Sequence, residues 1–288
     1  MTKPADLLQK WIARQASAEA CAWLDARRGE LAADAPQRAL GAAFSAVGRR
    51  MGRQPLALDA ADLGAADEAR KGWRPDGLTL DQAARILLLI DSARVPGLLA
   101  LRSKNLAATA DLGELIALYR GLPLYPEPET MRPIAVDGLR TAMRAVFEAV
   151  AHRNPFPAEY FSQSEWNQMV LKTLFIDSVL DPIVGLDARW NPELAGILVN
   201  YAHERWAAGR TVAPELWRGV GRFADAAMIR DLARMLSDGR ESEQRAAALA
   251  LHASGDPAAS EALRKREDLA AAVAVGKLTW NDVRAPAG

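Results

Sequence analysis

The chain is predicted to be all-α: a multi-helix, right-handed α-α stack of HEAT-like or solenoid-like character, with no sheet. Three observations predict it. Apolar residues recur at helical spacing along most of the 288 residues, as in Val136, Leu139, Met143, Val146, Phe147 and Val150. Capping residues and Pro or Gly stops punctuate these stripes at ordinary helix lengths. No run of alternating polar and apolar residues lies between hairpin-type turns. A compact chain of this size buries about 75% of the surface that its unfolded form exposes, so a large core is available. We read residues 1–288 as a single domain, with N-terminal helices over 1–122, a Trp-rich core over 134–224 and stacked helices over 225–288.

Taken in order, residues 4–28 carry Leu8, Trp11, Ile12 and Trp23 on one side of an amphipathic helix. Such a helix docks on its own domain, or lies in a membrane interface through Trp11 and Trp23. Asp34 and Pro36 open a second helix that carries Leu40, Phe44 and Val47 and stops at Gly52. Asp59 caps a short helix to Lys71. Thr79 with Gln82 forms a capping box ahead of ARILLLI, whose apolar residues run nearly all round and predict a buried helix. Pro96-Gly97 marks a boundary, followed by helices over 98–108 and 111–120.

The next stretch, GLPLYPEPETMRP, holds four prolines and is predicted to be irregular. A helix over 134–152 follows, ended by Asn154-Pro155-Phe156-Pro157. Residues 165–176, EWNQMVLKTLFI, form a helix that is apolar over most of its circumference. Asn191 caps and Pro192 opens a helix to about Ala208, and Pro214 starts a short one. Helices over 225–236, 241–254, 258–266 and 268–276 complete the chain, and DVRAPAG ends it loosely.

Lys plus Arg and Asp plus Glu number 36 each, so the net charge is zero. That balance disfavours nucleic acid or an anionic membrane as the main partner. The single Cys21 allows no intrachain disulfide, and His152, His203 and His252 lie far apart, so neither a metal site nor a cofactor is predicted. The longest apolar run, residues 86–90, is far too short to span a membrane. With no secretory leader pattern at the N-terminus, a cytoplasmic location is expected.

The motifs of acyl transfer, phosphate-loop and zinc chemistry are missing: His203-Glu204 has no second His four residues on. Residues 219–224 match G-x-G-x-x-A, but a dinucleotide site needs a preceding strand, and a helix precedes these. The densest mixture of aromatic and polar groups lies over 160–221, which holds Trp166, Trp190, Trp206 and Trp217 of the eight Trp. The candidate ligand- or partner-binding residues are therefore Trp166, Asn167, Asp187, Arg189, Asn191, His203, Trp206 and Trp217. The tryptophans suit an apolar wall, and the polar groups suit orientation of a ligand. Each also has a structural reading: Asp and Asn beside Pro as caps, His203 as a hydrogen-bonded helix residue, the tryptophans as core. No catalytic residue is assigned.

EWNQMVLKTLFI, followed by PIVGLDARWNPELAGILVNYAHERWAAGRTVAPELWRGVG, resembles the EboA family of bacterial proteins encoded in the multi-gene ebo operon. The resemblance is specific over 160–221 and diffuse elsewhere. It implies partners among the other operon products, one of them a membrane prenyltransferase-like protein, and a link to making or exporting secondary-metabolite precursors. No established activity comes with it. The reading it favours is a non-catalytic adaptor or accessory protein. The alternative is a binder of, or an enzyme acting on, a hydrophobic small metabolite held in a Trp-lined pocket.

Overall fold

The computed structural model describes residues 2–32, 35–93 and 97–283. The predicted start at Asp34, the Pro96 of the Pro96-Gly97 boundary and the last residues of the tail lie outside the described residues. Among the described residues the fold is all-α, with no strand; Pro55 and Thr79 form one isolated bridge. The chain forms two compact units: residues 1–169 with 181–185, and residues 170–180 with 186–288.

The first unit begins with α1 (Pro4–Gln15), α2 (Ala18–Ala32), α3 (Gln37–Met51), α4 (Ala60–Ala69) and α5 (Leu80–Asp91). The single N-terminal helix expected over 4–28 is broken, because Ser17 starts a new one: its hydroxyl accepts the Ala20 N–H at 3.2 Å. Asp59 caps α4 as predicted, accepting the Asp62 N–H at 2.8 Å. Gln82 reaches back to the Thr79 N–H at 3.3 Å and opens α5, while the Thr79 hydroxyl donates to Asp81.

Helix α5 is the axis of this unit and packs against α1, α2, α3 and α7. Ile86, Leu87, Leu88 and Leu89 are completely buried, each worth about 1.5–3 kcal/mol in transfer from water. Arg85 is buried among them. Trp11 is buried too, with its ring 5.6 Å from Trp73 and its indole N–H donating to Asp62 at 2.8 Å. It is a core residue, which removes it from any membrane-facing role for α1.

Asp62 also accepts from the Arg14 guanidinium, and that bond holds its carboxyl below the usual range, against the opposing effect of burial. A depressed folded-state pKa stabilises above the unfolded value of about 4 and loses that contribution as pH falls through the folded pKa. Urea unfolding followed by Trp fluorescence will therefore show wild type more stable than Asp62→Asn at pH 7. The gap will close progressively below about pH 4.

The unit continues with α6 (Leu98–Ala107), α7 (Leu112–Arg120), α8 (Pro128–Leu139), α9 (Arg144–Ala151) and α10 (Phe156–Tyr160). Two expectations are corrected here. The proline-rich stretch does not stay irregular, because α8 starts inside it. Pro128 occupies the first turn, where no N–H is needed, behind Glu127 in the left-handed region at φ 52°. Pro133 sits within the helix on an exposed side, leaving the Glu129 carbonyl open to water.

The helix expected over 134–152 is two helices with a turn at 140–143, in which the Met143 N–H bonds to the Thr141 hydroxyl at 3.1 Å. The turn lets α9 fold back onto α8 and α7. Gly138 is the contact point: a Cβ there would lie 2.7 Å from Tyr119 and 2.9 Å from Val150.

Helix α11 (Gln163–Phe175) contributes residues to both units. Its expected apolar wrap is incomplete, since Phe175 is 66% exposed.

The second unit holds α12 (Pro192–Ala207), α13 (Ala226–Asp238), α14 (Glu241–Ser254), α15 (Pro257–Arg264) and α16 (Glu267–Ala274). Asn191, Asp225 and Asp256 cap α12, α13 and α15 through their side chains. Helix α14 is the centre: it packs against α13, α15, α16 and the 3-10 turns Pro214–Gly219 and Gly221–Phe223. Four of its buried residues are small, Ala246, Ala247, Ala248 and Ala250, which lets neighbouring backbones approach closely. No helix among the described residues is long and apolar enough to cross a membrane.

Candidate functional site

Six of the eight candidate residues lie in the second unit; Trp166 and Asn167, both buried, lie in the first. Within the second unit the six fall into two groups. The first is the connector ahead of α12. Arg218 binds Asp187 through both Nε at 3.2 Å and Nη2 at 2.8 Å, and the Trp190 indole donates to the same carboxylate at 3.2 Å. Asn191 accepts the Leu194 N–H at 2.9 Å and donates to the Arg189 carbonyl at 3.1 Å. Burial lowers the pKa of Arg189. The Trp190 ring lies over Gly219, where a Cβ would meet it at 2.4 Å. These bonds fasten the connector to α12 and to the turn at Pro214–Gly219.

In the second group, His203 lies about three turns along α12, about 18 Å from Asn191 at 1.5 Å rise per residue. The core face of α12 is Leu194, Ala195, Leu198, Val199 and Ala202. His203 and Trp206 stand one turn apart at the margin of that face. Trp206 stacks on the fully buried Trp217 with ring centroids 5.7 Å apart and planes 21° from parallel. The Trp217 indole N–H meets no hydrogen-bond partner among the described residues.

Arg234 of α13 holds its guanidinium carbon 5.0 Å from the centre of the Trp206 ring. Asp231, one turn earlier, joins His203 at 2.6 Å and Arg234 at 3.2 Å. Beside this stack opens a cavity of about 310 Å³ lined by Trp206, Arg234, Met235, Asp238, Gly239 and Glu243. Glu243 is held by Arg240, whose guanidinium bond keeps its carboxyl below the usual range against the effect of burial.

The structure thus brings His203, Trp206 and Trp217 together and keeps Asp187, Arg189 and Asn191 in a separate network of caps and ion pairs. Sequence reasoning missed Asp231, Arg234, Met235, Asp238 and Glu243. On α13 Met235 reads as part of the apolar stripe, the charged residues carry no local signal, and only the fold sets them against Trp206.

Chemically the cavity offers one indole face, backed by the buried Trp217, together with a thioether and a rim of both charges. A 310 Å³ cavity is at the lower end of the range for small-molecule sites. The described residues thus form an all-α protein whose second unit carries a surface cavity lined by one indole. The family model of the metabolite traffic protein EboA matches residues 4–221, and the chain belongs to the EboA family. The match ends at Gly221, so it includes α1 to α12 with Trp206 and Trp217, and stops ahead of α13. No curated protein and no solved structure matches the chain.

Proposed function

We propose that this chain is a non-catalytic accessory protein of metabolite traffic: a helical adaptor that works at the cytoplasmic face with other products of the ebo operon. Secondary-metabolite precursors are the cargo, and a membrane prenyltransferase-like protein is one partner. The observation that carries this reading is the match to a metabolite traffic family over residues 4–221. The geometry supports binding rather than catalysis. Asn191 is occupied as a helix cap, Asp187 is paired with Arg218, and His203 meets Asp231 on an exposed helix margin. The Trp206 wall is the binding element, since a half-exposed indole backed by a second one offers apolar area at low entropic cost.

A second reading has its own observation. The cavity beside Trp206 is large enough for a small hydrophobic metabolite, which the Trp206 face and Met235 would contact.

Native mass spectrometry of the protein purified gently from its host, operon intact, separates the two. The adaptor reading expects a co-eluting operon product that is lost in Trp206→Ala while thermal unfolding of the free variant stays close to wild type. Repeated purification with no operon product overturns it. A discrete added mass of a few hundred daltons, lost in the same variant, favours the metabolite reading.

A further inference from the structure

The first unit contains a second recess, remote in sequence from the Trp206 wall. Helix α7 ends at Arg120, and α9 ends just before His152 and Arg153. All three basic side chains line one cavity of about 170 Å³, whose other walls include Ile116, Ala149 and Glu148.

Local bonds hold the cations in place. Arg120 donates from Nη1 to the Gly77 carbonyl and from Nη2 to the Asp76 carbonyl, each at 2.7 Å. Arg153 has its Nε 2.7 Å from the Asp76 carboxylate. Its backbone lies in the left-handed region at φ 53°, secured by an N–H bond to the Pro182 carbonyl at 2.8 Å. A non-glycine residue in that conformation needs such support. The one carboxylate of the lining, Glu148, accepts from Arg144 at 2.8 Å, which offsets part of its charge and leaves the rest opposing an anion.

We propose that this recess binds a small oxyanion, namely inorganic phosphate or the phosphate end of a small phosphate monoester. A guanidinium presents five N–H donors in a planar fork, and the bonds above use only part of each set. Two forks and an imidazole around one space match the oxygens of a phosphate, and charge-assisted bonds of this kind are the strong ones. The volume fits the class: at about 30 Å³ for each water, the recess holds roughly five or six, enough for one compact anion and too few for a drug-sized ligand. The apolar side formed by Ile116 and Ala149 reduces competition from water.

The electrostatics point the same way. Burial first, and then the neighbouring Arg153 charge, push the Arg120 pKa down to about 10, with Asp76 opposing. Two like charges held together in a half-buried recess gain when an anion enters between them.

This inference does not use the Trp206 site, so either can fail alone. The test is calorimetric titration of the full chain with sodium phosphate, with sodium chloride matched in ionic strength as control. The expected result is a saturable heat with phosphate only. Arg153→Met should weaken binding about tenfold, the loss of one charge-assisted contact. Glu148→Gln removes the repelling carboxylate and should tighten binding about threefold, a gain that a damaged fold cannot imitate. Absence of saturable heat up to about 20 mM phosphate overturns the proposal, as do affinities unchanged in both variants. Co-sedimentation with vesicles containing phosphatidic acid, without saturable binding of inorganic phosphate, also overturns it by assigning the cluster to a lipid headgroup.

Discussion

Arg85→Met is expected to lower the stability of the protein by about 3–5 kcal/mol, read as a fall in the urea midpoint at unchanged slope. Arg85 is 1% exposed in the middle of α5. Its Nε donates to the Phe44 carbonyl at 3.0 Å, its Nη1 pairs with Asp81 one turn earlier, and its Nη2 stands 4.0 Å from Glu114. The guanidinium carbon also lies 5.5 Å from the centre of the Phe44 ring. Methionine fills much of the space but leaves two buried carboxylates and a buried carbonyl without their cation. Removing one partner costs more than the pair contributes, because the other charges stay desolvated.

That logic distinguishes itself from simple loss of packing. If stranded charge is the cause, Asp81→Asn combined with Arg85→Met will recover about 1–3 kcal/mol relative to the sum of the single changes. If packing is the cause, the two effects will add. Against a total stability of about 5–15 kcal/mol, the single change alone threatens the fold at physiological temperature.

Arg85 also marks where sequence reading succeeds and stops. The run ARILLLI is legible as a buried helix because five large aliphatics leave almost no polar face, and Thr79 with Gln82 announces its start. That its arginine is buried with them depends on Asp81, Glu114 and the Phe44 carbonyl, two of which come from other helices. The same division recurs along the chain. Asp59, Asp111, Asn191 and Asp225 are readable as caps, since a cap bonds to the backbone two or three residues on.

The breaks at 16–17 and 140–143 are not so readable: both interrupt stripes of acceptable helical spacing, and the second is favoured by what α8 and α9 gain from packing on α7. Pro133 misleads in the other direction, because its effect depends on whether the carbonyl it orphans is exposed. In the candidate site the aromatic half was legible from the density of tryptophan. The charged half was not, since pairing of His203 with Asp231 and of Arg234 with the Trp206 ring spans 28 residues in each case and leaves no local pattern.

Gly221→Ala is the second large effect expected, a loss of about 3 kcal/mol or more from the unit built on α14. The turn Gly221–Phe223 crosses α14 so closely that a Cβ at Gly221 would sit 2.4 Å from the Ala250 carbonyl oxygen and 2.9 Å from its Cα. These are main-chain atoms of a central helix, so no side-chain rotation relieves the overlap, and either the turn or α14 must shift. The backbone conformation is not the difficulty, because Gly221 is not among the glycines with positive φ.

Gly196 provides the contrast. It lies inside α12 with nothing within 4 Å of its would-be Cβ, so Gly196→Ala should stabilise by about 0.5–1 kcal/mol through helix propensity alone. Chemical denaturation of the two variants tests opposite signs for the same substitution. A further change identifies the clashing atoms. Ala250→Gly removes only the methyl group and leaves the carbonyl in place, so it should not rescue Gly221→Ala, and the two effects should add within about 0.5 kcal/mol. Rescue would mean that the side chain of Ala250, not the helix backbone, limits how closely the family-matched part of this unit approaches α14.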